Sequence, residues 1–456
     1  MRSDNVIRLE RPLREWEREL LGECDLYLVG GIVRDLLRGK HYDSLDEDYL
    51  AVGIGYEKLI EVLRPLGKSN LVGKSFGVVK FTGADGATVD ISLPRTEYSV
   101  GPGHRDFHVT FDPSIPAGQD LVRRDFTINS MALHLGTGGL VDPLGGRGDL
   151  AAGILRVNRE GSFREDPLRI MRGVQFLARF GLKVEEGTRR MMVRDMTLLS
   201  TVSVERVREE LNKMLLGAER PSEGFLFMHD TGILGLVLPE LDETFGIEQN
   251  EYHPDDLFMH SIRSCDAARP DLLIRWSALL HDLGKKKMKR EIDGRIVFYR
   301  HEEESAGIAG SILERFKFPR EFTKQVTHLV RHHMFQMTDD WSDAAVRRFI
   351  VRIGVDNIED LFAVCEADAR SRADRDLMDH LETERGRVER ILASEATLKR
   401  EHLAVNGSDV IERLGIEGGP RIGEILQTLL DIVIEHPEMN TRERLLGIVS
   451  EMEKHQ

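Results

Sequence analysis

The sequence predicts an α+β protein, a head in which short strands and helices alternate followed by a chain that is helical to its end. Three observations predict it. Through about residue 150, short apolar runs are broken by glycine turns, as buried strands are. Further on, apolar residues recur at helical spacing, as at Val174, Leu177 and Ala178 and at Ile425, Leu426, Leu429 and Ile432. Finally, 456 residues exceed what a single core serves, so roughly two to four domains are expected.

Composition narrows the function classes. Hydrophobic residues make up 41% and charged residues 31%, as in a soluble globular protein, and no apolar run approaches the roughly 20 residues that span a bilayer. Residues 1–20 are charged and lack the apolar core of a signal peptide. Cys24, Cys265 and Cys365 are few, odd in number and far apart, so no disulfide or zinc framework is expected and a reducing cytoplasm is the simplest location. A net charge of −15 argues against indiscriminate coating of nucleic acid. Residues 121–220, however, hold 17 Lys/Arg against 13 Asp/Glu, which suits either local contact with a polyanion or solvated helix faces.

The first informative stretch is 26–48. Residues 26–29 read as a buried strand, Gly30-Gly31 break it, and 32–38 begin a helix with Ile32, Val33, Leu36 and Leu37 on its apolar side. A loop carrying Asp43 leads to Asp46-Glu47-Asp48 and the apolar run 49–52. Alternation along a strand sends Asp46 and Asp48 to one face and Glu47 to the other. Two carboxylates beside a glycine turn and a helix N-terminus can hold a divalent cation above a triphosphate. A triplet of this kind is by itself more often solvated. The glycine pair shifts the balance, because backbone without side chains lets phosphate approach.

Residues 56–66 have helical spacing, and 78–82 and 88–92 read as strands around an Asp85-Gly86 turn. Asp90 is on the polar face of the second of these strands, either a third carboxylate for the site or an ordinary exposed residue. In residues 94–119 the pattern weakens to Gly101-Pro102-Gly103, His104, Arg105 and several prolines, which reads as a long loop, with Arg95 a surface arginine or a phosphate contact. Arg123-Arg124-Asp125-Phe126-Thr127-Ile128-Asn129 follows, where adjacent arginines offer planar forks for phosphate or base edges and Asn129 can bond a ribose hydroxyl. Glu165-Asp166-Pro167 opens a helix, and Asp166, Arg169 and Arg172 share one face of it. Asp166 is either a cap or, with Arg169, a reader of a base's Watson–Crick edge.

Val29-Gly30-Gly31-Ile32-Val33-Arg34-Asp35 with Asp46-Glu47-Asp48 resembles the signature of polymerase-β-like nucleotidyltransferases, most closely the class II tRNA nucleotidyltransferase and poly(A) polymerase family. Residues 123–132 match the family's RRDFTIN motif nearly letter for letter, Asp142-Pro143 through Gly145-Gly146 to Asp149 match its head-closing turn, and Asp166 and Arg169 fall on its EDxxR motif. The resemblance implies a polymerase-β-like head at 21–150 behind an extension at 1–20, and an all-helical neck at 151–250. It implies catalysis by Asp46, Asp48 and Asp90, with Mg²⁺ on Asp46 and Asp48. Gly30, Gly31, Arg34, Asp35, Arg123, Arg124, Asp125, Asn129 and Arg172 would then bind nucleotide, with Asp166 and Arg169 choosing between CTP and ATP. The expected reaction is addition of CMP and AMP to the tRNA 3′ end. CC-adding, A-adding and poly(A)-adding relatives stay open, and oligomeric state is left unassigned.

A second constellation comprises His260, His281-Asp282 and Asp368. A single histidine is more often structural, but adjacent imidazole and carboxylate at a helix end can share a metal. The set resembles the H…HD…D pattern of HD-domain phosphohydrolases. It implies such a domain at 251–375 with a divalent transition metal, where His301 and His332 would either complete the site or bind the substrate phosphate, and a helical RNA-binding tail at 376–456. The basic run 285–290 is open between RNA contact and a solvated loop. A phosphodiesterase whose head only binds RNA is the alternative from a different class.

Overall fold

The computed structural model describes residues 6–454, except 8, 10, 43–44, 73–76, 100–106, 250–254, 336, 338–340 and 395–399. Asp43 and residues 101–105 therefore lie outside the described residues. The chain divides into two compact units, Met1–Val237 and Leu238–Gln456.

The first unit is built on a seven-stranded mixed sheet. Helix α1 (Glu15–Leu21) precedes strand β1 (Asp25–Val29), which turns through the glycine pair into α2 (Gly31–Leu37). Then come β2 (Asp48–Val52), α3 (Tyr56–Leu63), β3 (Gly67–Val72), β4 (Val78–Gly83) and β5 (Thr88–Ser92). A ribbon of β6 (Arg95–Ser99) and β7 (Phe107–Phe111) is followed by α4 (Ala117–Val122), β8 (Ala132–His134) and β9 (Leu140–Val141). The sheet order is β3-β4-β5-β2-β1-β8-β9, with β2 and β5 parallel and the other neighbours antiparallel. Both faces are covered, as runs without polar alternation require. Leu26, Leu28, Tyr49 and Ile91 pack with Trp16, Leu20, Leu59 and Leu63, while Val29 and Leu50 pack with Ala117 and Leu121.

One reading is corrected here, and one strand went unread. The stretch 94–119 is not one loop, since β6 and β7 pair as an antiparallel ribbon from Arg95↔Phe111 to Ser99↔Phe107, and α4 follows. The ribbon lies outside the main sheet, so no core imposes apolar alternation on its sequence. Strand β3 has the polar opening Gly-Lys-Ser-Asn and ends the sheet, which likewise hides it from hydrophobic patterning.

The helices of the neck follow α5 (Gly146–Ala152) and the short α6 (Ser162–Glu165). The longer α7 (Leu168–Phe180) begins after Pro167 and ends at Gly181, whose left-handed φ of 62° closes it. Helices Glu186–Asp195, Val204–Gly217 and Ser222–Thr231 complete the unit's long segments.

The second unit is mainly helical. Asp256 and Asp271 cap helices Leu257–Ala267 and Leu272–Leu280 by accepting backbone N–H bonds from Met259 and Ile274. Helices His301–Arg315, Arg320–His332 and Ile358–Ser371 follow, and then Arg375–Ser394, Gly407–Leu414, Pro420–Glu435 and Arg442–Lys454. Among the described residues no helix is long and apolar enough to cross a membrane.

Candidate active site and candidate metal centre

In the first unit, strand register assembles the acids. Asp48 and Asp90 are partners across the parallel β2–β5 pair, so their side chains leave the same face. Asp46, two residues upstream, is exposed like Asp48. Desolvation raises the Asp48 carboxyl above its usual range; Arg124 opposes the shift, while Asp90 and Asp46 add to it. Mutually repelling carboxylate oxygens are a hard, all-oxygen donor set that suits Mg²⁺.

The glycine turn belongs to the same neighbourhood. Gly30 has φ 76°, and a Cβ there would stand 3.0 Å from an Arg124 guanidinium nitrogen. Arg124 is within 3.8 Å of the buried Asp120, which also accepts from Arg123 Nε at 2.8 Å.

The structure places several expected nucleotide contacts inside the protein instead. Arg34 is buried, donating to both carboxylate oxygens of Asp35 at 2.9 and 3.1 Å and to Asn129 Oδ1 at 2.7 Å. Asn129 Nδ2 donates to Asp125 at 3.2 Å, so Arg34 and Asp125 together orient its amide. Asp125 also takes Arg172 at 2.6 Å. Burial would raise the Asp125 carboxyl, but Arg172 holds it below its usual range. These five residues bind α2, the 125–129 segment and α7 together. Sequence order could not reveal this, because the partners lie up to 95 positions apart.

On the opening of α7, Asp166 and Arg169 are half-buried. Arg169 donates to Ser162 Oγ at 2.7 Å and to the Arg123 carbonyl at 3.1 Å, while Asp166 stands 3.6 Å from Arg206. Asp166, extended and ahead of the helix, also accepts the Leu168 N–H at 3.3 Å, so it does not share a helix face with Arg169 and Arg172.

In the second unit a buried cluster forms around Asp282. His260 Nε2 and His281 Nε2 stand 3.1 and 3.2 Å from one of its oxygens, and His301 Nε2 and His333 Nε2 stand 3.1 and 3.6 Å from the other. Asp368 lies 3.3 Å from His260 Nε2. His281, His301 and His333 each point Nδ1 at a backbone carbonyl, of Ala278, Phe298 and Val330, at 2.7 to 2.8 Å. That anchoring leaves Nε2 free to bind a metal. Buried Asp282 Oδ1, His301 Nε2, His333 Nε2 and Asp368 Oδ1 have no aligned hydrogen bond. Burial disfavours the His281 imidazolium, yet Asp282 and Asp368 raise its pKa to about 10. The donors fit a divalent transition metal, and a cavity of about 910 Å³ opens beside them.

His332 is corrected. It packs against His328 with ring centroids 4.6 Å apart, and its neighbour His333 supplies the imidazole. Successive residues at the end of a helix point roughly 100° apart, and the pair His332-His333 gives no sign of which one faces inward. Lys285 was also misplaced by sequence. It is buried with Nζ 2.6 Å from Asp282, and Lys286 and Lys287 pair with Glu243 and Glu304, so these three lysines are engaged within the protein.

Comparison with known proteins places the whole. The family model described as "Poly A polymerase head domain" matches residues 26–156, and a model for tRNA nucleotidyltransferase domain 2 matches 301–449. The "Multifunctional CCA protein" of Xanthomonas campestris is 34% identical over 420 residues, covering 88% of this chain and 96% of that protein. The chain belongs to the CCA-adding tRNA nucleotidyltransferase family. An "A-adding tRNA nucleotidyltransferase" of Deinococcus radiodurans is also 34% identical, over 428 residues, covering 89% of this chain and 90% of that protein. The Bacillus stearothermophilus CCA-adding enzyme, solved with CTP, superposes with a TM-score of 0.68 at 25% identity, covering 97% of this chain and 99% of that one. The family resemblance expected from the motifs, and the mixed-sheet head with helical neck and tail, thus hold for this nucleotidyltransferase across its length.

Proposed function

We propose that this nucleotidyltransferase adds CMP and AMP from CTP and ATP to the 3′ end of tRNA. The observation that carries the reading is the register of Asp48 with Asp90, with Asp46 exposed two residues ahead of Asp48. Asp46 and Asp48 would hold Mg²⁺, which supplies charge neutralisation of the triphosphate and eases ionisation of the terminal hydroxyl. Asp90 accepts the proton of that hydroxyl. The hydroxyl oxygen bonds to the α-phosphorus, the α–β bridging bond breaks and pyrophosphate leaves. Gly30, Gly31 and Arg124 line the phosphates' approach, while Asp166 and Arg169 read the base. Arg34, Asp35, Asp125, Asn129 and Arg172 brace these groups from behind.

Equal identity to a CCA protein and to an A-adding enzyme keeps the A-adding reading in view. Purified protein incubated with tRNA ending before the CCA, after C and after CC, with labelled CTP or ATP supplied singly, separates them. CCA addition requires CMP incorporation on the first two substrates and AMP on the third. AMP on the third alone makes the enzyme A-adding, and incorporation on none ends both readings.

The cluster around Asp282 supports a second activity in the same chain, metal-dependent hydrolysis of phosphate esters. Its donors would hold a transition metal that activates water, and the cavity beside them would receive the phosphate ester. Opening of a 2′,3′-cyclic nucleotide by one water to a nucleoside monophosphate, seen with the parent and lost in His281→Ala, is the expected result.

A further inference from the structure

The head-domain match begins at residue 26, yet side chains ahead of it reach the middle residue of the carboxylate triplet. Glu47 lies between the exposed Asp46 and Asp48, yet its side chain is only 10% exposed. Arg14 forks it, NH2 donating to Oε1 at 2.7 Å and NH1 to Oε2. The hydroxyl of Tyr49, a fully buried ring, lies within hydrogen-bond reach of both Glu47 and Glu17. Glu17 in turn accepts the Arg14 N–H at 2.6 Å and Arg11 NH1 at 2.8 Å, and Arg11 NH2 also donates to Tyr42 at 2.7 Å. Trp16 closes over Tyr49 edge-on, with centroids 5.0 Å apart. Among the described residues the strand ladders begin only at Asp48, so Asp46 and Glu47 have no ladder bonds to fix them. An exposed ion pair would do little, but a planar fork on a nearly buried carboxylate fixes the direction of the side chain it holds.

We propose that Arg14 and Glu47 are positioning residues for nucleotidyl transfer, the fork anchoring the backbone between Asp46 and Asp48 so that both carboxylates face one point. The N-terminal arm is thereby part of the active site's frame. This rests on the reading that Asp46 and Asp48 hold the divalent ion.

The test uses full-length Arg14→Lys, Glu47→Gln and Asp48→Asn, each checked for folding by circular dichroism. Arg14→Lys keeps the charge but not the fork and secures a folded variant if Glu47→Gln does not fold. CTP affinity is measured by calorimetry with Mg²⁺ and with EDTA, beside the Mg²⁺ dependence of transfer. We expect the Mg²⁺-dependent gain in CTP affinity to fall about 10-fold in both fork variants. The Mg²⁺ needed for half-maximal transfer rises in parallel, while affinity in EDTA and affinity for tRNA stay at the parent's values. An unchanged gain in a folded variant, or equal loss with and without Mg²⁺, overturns the proposal. Asp48→Asn separates the failures, because transfer retained in that variant removes the metal-site reading itself.

Discussion

Asp48 and Asp90 stand opposite each other across the parallel pair of the head sheet, on strands separated in sequence by two strands and a helix. Parallel register puts their carboxylates on one face, and Arg124 is the cation that offsets their repulsion. Different roles for the two acids predict different losses. On the proposed roles, Asp48→Asn removes a cation ligand and should abolish transfer. Asp90→Asn removes the proton acceptor and should lower kcat by about 10²–10⁴-fold. Filter retention of tRNA should be unchanged in both, and single-turnover labelling with CTP reads the difference.

Gly30 predicts a backbone effect. At φ 76° a side chain is strained, and its Cβ would press on Arg124 at 3.0 Å. Gly30→Ala should fold but displace the arginine from the acids. A shift of about 1 Å at a reacting site can cost about 10²-fold, so kcat/KM for CTP should drop by about that factor. Arg124→Ala in the same background should add little, since the displaced group is already lost; a fully additive loss would separate the two positions.

The candidate metal centre gives a test at adjacent residues. His333 Nε2 lies 3.6 Å from Asp282 and its Nδ1 is held by the Val330 carbonyl, whereas His332 faces His328. After loading with Mn²⁺ or Ni²⁺ and desalting, His333→Ala should retain less metal than the parent, and His332→Ala as much. Plasma emission spectrometry on the full chain measures both. Equal retention in His333→Ala would remove it from the donor set.

What sequence could reveal followed the range of the forces involved. Gly30-Gly31, Asp48 and Asp90 are local patterns whose geometry is set by a turn or a strand, and such patterns are legible residue by residue; Asp166 lies ahead of the helix that carries Arg169, so the shared helix face read for them is not formed. His260, His281, Asp282 and Asp368, read together in the sequence as one constellation, do cluster in the fold. The bracing role of Arg34 and Asn129 was not, because both look like free polar groups until α2 meets the 125–129 segment. The ribbon β6–β7 lacked a buried face to print on its sequence. The choice of His333 over His332 depended on one residue of helix phase. Arg14 and Glu47 were hidden for a related reason, as two ordinary charged residues 33 positions apart give no sign of a shared fork.

His332 also carries a pH signature. Burial, together with the nearby His328, Arg352 and Arg331, lowers its pKa from 6.5 to about 4. The folded chain therefore holds this imidazole neutral at a pH where the unfolded chain protonates it, so the unfolded state binds more protons between those values. Stability from this group is full above pH 6.5 and is lost as pH falls toward 4. His332→Gln removes the titration without adding a charge. Urea denaturation midpoints of the parent and of His332→Gln, compared across this window, should show the parent losing more stability than the variant between pH 6.5 and 4. The gap should be constant at higher pH. Parallel acid slopes for the two proteins would show that the His332 ring is not held neutral by its surroundings.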